Sequence, residues 1–159
     1  MPSRKSASKA KDVNPDYIRM YYEHQYDRIK KYEDQSLNIS NIVLTISTLV
    51  ITFGLNSRQS FGSILILFLP VVIIFANLTA ILYIRDSAKW IKSHRTRAKR
   101  ILEIYTPELF LLDNETVSPN SKGTVGRRRI QNLIHLLFIA LAVILIFLFV
   151  LEALGVSVV

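Results

Sequence analysis

The sequence predicts an all-α integral membrane protein with three transmembrane helices, its N-terminus inside and its C-terminus outside, and with long cytoplasmic helical extensions of the first two spans. Three observations lead there. Apolar runs long enough to cross a bilayer occur at 37–55, 64–84 and 130–153. Lys and Arg are distributed very unevenly around them: eight precede the first run, eleven lie between Arg85 and Arg129, and Arg58 completes the total of 20. Between the runs, apolar side chains recur at helical spacing within charged surroundings. With 159 residues, half of them hydrophobic, the chain has room for one membrane unit and little soluble core.

Each segment has its own reason. Residues 1–13 are small, basic and aperiodic, the composition of a disordered tail, and Met1 to Lys11 do not read as a cleavable signal peptide. Asn14-Pro15-Asp16 supplies a cap, a pre-set first turn and a favourable acidic charge, so a cytoplasmic amphipathic helix spans 14–36, with Ile18, Tyr22, Ile29 and Tyr32 recurring on one side. Nothing between Pro15 and Leu55 interrupts it, and a continuous helix of that extent is roughly 60 Å long, about twice the hydrocarbon thickness. The span 37–55 contains seven Asn, Ser or Thr among its residues, which lowers its insertion tendency and calls for helical partners. The span 64–84 is interrupted only by Pro70, Asn77 and Thr79. A basic cytoplasmic helix follows over 85–105, ended by Thr106 before Pro107. The stretch 106–129 holds Gly, Pro, Ser and Asn and reads as a cytoplasmic loop; 130–153 is the third span.

Chemistry is sparse. Cysteine is absent, no Gly-rich phosphate loop or nucleophile set appears, and His24, His94 and His135 are isolated, so neither an enzyme, nor a cofactor, nor a metal site is expected. The informative pattern is on the first span. Asn38, Asn41, Thr45, Thr48 and Thr52 repeat at spacings of three and four and fall within roughly 80° of arc. Ser40, Ser47 and Gly54 recur every seventh residue about 140° away, and Ala76 and Ala80 form a small-xxx-small pair beside Asn77, so both read as a packing face where another backbone comes close. Two roles for the Asn/Thr stripe stay open: lining a water-filled path in an oligomer, or hydrogen bonding between helices. Asp34 and Arg85, at one level beside the first two spans, are expected to pair. Lys89, Lys92, Arg95, Arg97, Lys99 and Arg100 serve as a topology signal and contact anionic lipid headgroups, or else form a site for an anionic ligand such as a nucleotide. Nucleic acid is not an expected partner, because the charge of +8 is explained by residues flanking the spans.

The segment YYEHQYDRIKKYEDQSLNISNIVLTISTLVITFGL, followed by RDSAKWIKSHRTRAKRILE, resembles the SLATT-type and related small membrane effectors of bacterial nucleotide-signalling, anti-phage defence systems. The resemblance covers about two-thirds of the chain and lies in an exposed N-terminal helix, a two-span hairpin and a basic cytoplasmic helix; the third span departs from it. It implies an oligomeric effector that perturbs or gates the inner membrane when a signal, or a cytoplasmic protein or nucleotide partner, acts on its cytoplasmic part. The competing expectation is a non-conducting membrane adaptor that recruits a soluble partner through its cytoplasmic helices.

Overall fold

A computed structural model describes residues 14–56 and 63–155. The stretch 1–13, read above as a tail, lies outside the described residues. Three helices make up the described chain: α1 Pro15–Asn56, α2 Ser63–Tyr105 and α3 Pro107–Ala153.

The helix boundaries follow from local chemistry. The Asp16 N–H donates to Asn14 Oδ1 at 2.9 Å, and the N–H of Tyr17 donates to the Asn14 carbonyl at 3.1 Å, so Asn14 caps α1 with both its side chain and its backbone. Pro15 then occupies the first helical position, where a missing N–H costs nothing. Pro70 lies inside α2, which continues through it. Thr106 alone separates α2 from α3: its N–H still donates to the Leu102 carbonyl at 2.8 Å, and its own carbonyl accepts from Phe110 at 3.1 Å. Pro107 restarts the chain as the first residue of α3, with Glu108 in the first turn complementing the positive helix end. At the other end Gly155 takes a φ of 78°, a left-handed conformation suited to glycine, and its N–H closes on the Glu152 carbonyl at 3.0 Å.

The loop expected over 106–129 is corrected. That segment is the first part of the continuous α3, which therefore carries a helical extension of its own, as α1 and α2 do. Loop-favouring Asn, Ser and Gly each lower helix stability by about 0.5–1 kcal/mol and Pro119, inside the helix, by about 3 kcal/mol, preferences that helix propagation and tertiary packing override. One such contact is present: Lys99 Nζ of α2 lies 3.5 Å from Asp113 Oδ2 of α3, with both side chains largely covered.

The helices divide into two compact units. The first, in its described part, contains residues 14–35 and 86–126; the second contains 36–56, 63–85 and 127–155. In the first unit, Ile29, Ile91 and Ala98 are buried together with Gln25 and Ser87. Tyr32 stacks on Trp90 and on His94, with ring centroids 6.2 and 5.9 Å apart. Neither Asp34 nor Arg85 takes part in an ion pair among the described residues, and both are exposed.

The second unit has the polarity of a protein in hydrocarbon. Its buried residues are small or polar: Ser36, Ser40, Ser47, Asn77, Ala80, His135 and Ala142, with Ile73 and Ile84. Its outer surface carries large apolar side chains, among them Phe53, Phe75, Leu82, Leu133, Leu137, Ile144 and Phe147. A surface of this kind aggregates in water and is stable in lipid. All three helices are long and apolar enough to cross a membrane, and the chain is a membrane protein. Along α2 the buried positions Ile73, Asn77, Ala80 and Ile84 of this unit keep a three-and-four spacing, the seam pattern of left-handed helix packing.

Candidate functional site

The second unit holds one connected set of buried polar side chains, with a contribution from each helix. On α1, Ser40 and Ser47 are two turns apart and face inward. Asn77 of α2 and His135 of α3 are both 0 % exposed. The Asn77 Nδ2 group donates to the Ile73 carbonyl at 2.9 Å and to Ser47 Oγ at 2.8 Å. A carbonyl can only accept, so this bond settles which way the amide points, and Asn77 Oδ1 is the atom that faces His135 Nδ1 at 2.7 Å. Nδ1 must then carry the proton. The remaining ring nitrogen, Nε2, is the acceptor for the Ser40 hydroxyl at 2.9 Å. Each helix is thereby tied to the other two through side chains that have little alternative partner in a membrane interior.

A hydroxyl on an imidazole that is itself oriented by an amide has the connectivity of a nucleophile, its base and the base's positioning group. Here Ser40 is 1 % exposed, so a substrate carbonyl has no approach to its oxygen. The arrangement works as a clasp between helices. Among the described residues no three metal-ligating side chains converge.

The Asn/Thr stripe lies elsewhere. Asn38, Asn41, Thr45, Thr48 and Thr52 are all exposed, on the side of α1 away from Ser40 and Ser47. Thr48 and Thr52 return their hydroxyls to the carbonyls of Leu44 and Thr48, each at 2.9 Å, as hydroxyls do on a helix surface with no closer acceptor. Ala80 is buried at 0 % exposure and Ala76 is half-buried; the surroundings of Gly54 lie outside the described residues.

In the first unit the basic series does not converge. Lys89 pairs with Asp86 at 2.7 Å and Lys99 with Asp113 at 3.5 Å, while Lys92, Arg97 and Arg100 are exposed and Arg95 is half-buried. Helical spacing sets Arg95 and Arg97 on nearly opposite sides of α2, an arrangement that spreads positive charge around the helix rather than gathering it on one ligand. A second polar contact is half-buried here: His94 Nδ1 donates to Oε1 of the buried Gln25 at 2.7 Å. Desolvation, then the nearby Arg97, Arg28 and His24, hold the His94 imidazole below its ordinary pKa. A histidine that resists protonation when folded binds more protons when unfolded, so its contribution to stability is present above the ordinary imidazole value of 6.5 and is lost as the pH falls through the lowered one. Acidification below about 6.5 is therefore expected to lower the melting temperature of the first unit. The fluorescence of Trp90, the one tryptophan of the chain, reports it through its stack on Tyr32, and His94→Gln should remove the pH dependence.

In the sequence His135 stands isolated, and Asn77 reads as an accompaniment to Ala76 and Ala80. One signal was available. Ser40 and Ser47, and likewise His135 and Ala142, are seven residues apart, and Asn77 stands in a three-and-four series with Ile73, Ala80 and Ile84. Matching such registers across all three spans would have brought the polar members together. Comparison of the chain with protein-family models, with curated proteins and with solved structures finds no match.

Proposed function

We propose that the protein is an oligomeric, channel-like effector of the inner membrane, with its N-terminus in the cytoplasm, whose Asn38, Asn41, Thr45, Thr48 and Thr52 line a wetted path between copies of the chain. The observation that carries this reading is the exposure of all five residues on the outer side of a helix able to cross a membrane. The amides of Asn38 and Asn41 on that side need water or other polar groups, because acyl chains offer neither donor nor acceptor, whereas the Thr48 and Thr52 hydroxyls already donate to carbonyls of their own helix. Asn and Thr can each donate and accept, so the stripe suits both a second copy of itself and a column of water. Three helices are too few to enclose a path, which makes assembly a requirement of the reading. The first unit, with its basic surface, receives the input from a cytoplasmic signal or partner and contacts anionic headgroups. The SLATT-like resemblance supports a role in anti-phage defence.

The test is ion flux through the protein reconstituted in liposomes. The double substitution of Thr45→Leu and Thr48→Leu removes the hydroxyls without shortening the helix and is expected to lower flux about tenfold or more. Flux that is unaffected by it would end the reading. A non-conducting adaptor is the second reading, favoured by the exposure of Tyr17, Met20 and Tyr21 on one side of the N-terminal part of α1, where large apolar side chains offer a surface for a soluble partner. It predicts no flux at all and loss of partner capture on Tyr17→Ser with Tyr21→Ser.

A further inference from the structure

We propose that His135 is a proton-binding site inside the membrane unit, and that taking up a proton there loosens α3 from α1 and α2. The inference rests on the bonding of the ring and does not depend on whether the Asn/Thr stripe conducts.

The ring is held as a neutral imidazole by its neighbours. Nδ1–H is committed to Asn77 Oδ1, and the Nε2 lone pair accepts the Ser40 hydroxyl. The only place for an added proton is Nε2. Once it is there, Nε2–H becomes a donor, and Ser40 Oγ must turn from donor to acceptor. Its hydroxyl hydrogen then has the Ser36 carbonyl, one turn back on α1, as its nearest alternative. The hydrogen bonds can thus be rearranged, but the charge is left without a counter-charge. The groups in contact with the ring are a hydroxyl and an amide, and the ring is 0 % exposed.

The charged and titratable groups of each packed element are few. Over residues 36–56, α1 has none. Over 63–85, α2 has Tyr83 and Arg85, both beyond Asn77 toward the first unit. On α3 itself, Arg127, Arg128 and Arg129 lie before His135, and Glu152 stands roughly 25 Å along the helix on the other side. Among the described residues of this unit Glu152 is the one carboxylate, and the nearest ones that follow on the same helices, Asp34 and Asp86, stand roughly 9 Å before Ser40 along α1 and roughly 13 Å beyond Asn77 along α2. A buried charge so placed favours whatever arrangement lets the ring reach water, and separation of α3 from its two partners does so. Asn132, one turn before His135, has its Oδ1 buried without a hydrogen-bond partner among the described residues, so the packing at this end of α3 already leaves one acceptor that water would satisfy.

The experiment uses the full chain in lipid. Because the sequence has no cysteine, spin labels can be placed at Ile42→Cys on α1 and Leu137→Cys on α3, both outward-facing positions. Lowering the pH from about 8 to about 5, the range in which histidine titrates, is expected to lengthen the label separation by on the order of 2 Å. His135→Gln keeps the polarity, cannot take the proton and should abolish the change, whereas His24→Gln and His94→Gln should leave it in place. Nitrogen-15 spectra of the histidines in the unsubstituted chain give a second readout that does not depend on His135→Gln folding: His135 Nε2 should pass from unprotonated to protonated over the same pH interval. A separation that does not respond to pH, a response that survives His135→Gln, or an imidazole that stays neutral while the helices move would overturn the proposal.

Discussion

Asn77→Leu is expected to lower the stability of the three-helix unit by about 2 kcal/mol or more. Leucine is close in size to asparagine, so little space is created and the effect isolates hydrogen bonding. Three bonds disappear: those to Ile73 O, to Ser47 Oγ and from His135 Nδ1. The Ile73 carbonyl keeps its helical partner, but the His135 N–H is left without the amide in a site that is 0 % exposed. Side-chain hydrogen bonds between membrane helices average about 0.6 kcal/mol, with a maximum near 1.7, and the stranded donor accounts for the remainder. His135→Leu should cost a similar amount. The double substitution removes both members of the pair, so its cost should fall short of the sum by about 1 kcal/mol. Reversible unfolding of the four proteins in detergent measures this, and strictly additive losses would mean that the His135–Asn77 bond contributes nothing.

Ala80→Phe is expected to cost about 1–3 kcal/mol through crowding alone, or to prevent the helices from closing. Ala80 is 0 % exposed and lies in the seam of α2 between Asn77 and Ile84, where only a methyl group separates the helix from its neighbours. Leu82→Phe, two residues on, adds comparable bulk at a side chain that is 51 % exposed and points outward. It should be nearly neutral. Thermal melts of the two variants side by side separate the direction of the side chain from its size, and equal effects would mean that the seam is not where α2 packs.

Much of the architecture was legible in the residues because its causes are local. Asn14, Pro15 and Asp16 announce a helix start, and the Asn14 side chain does cap α1. Thr106 before Pro107 announces a break, and α2 ends at Tyr105. The length and hydropathy of three segments announce spans, since the thickness of a bilayer acts on a continuous stretch of chain. The segment 106–129 misled for the same reason: its Gly, Ser and Asn are local loop signals of small energy, and even with Pro119, whose place inside a helix costs about 3 kcal/mol, they lost to the cooperativity of a helix that Pro107 and Glu108 start cleanly.

What the residues determined alone is that this chain is helical, that three of its segments can cross a membrane, and that the first carries two distinct faces of polar or small side chains about 140° apart. Which face turns inward was decided only in three dimensions. Ser40 is separated from His135 by 95 positions and Asn77 from His135 by 58, and a periodic pattern within one helix says that a face is unusual without naming its partner. The serines are buried because they are small enough for close approach and because two other helices bring an imidazole and an amide to meet them, whereas the Asn/Thr stripe, equally regular, finds no such groups and stays outside.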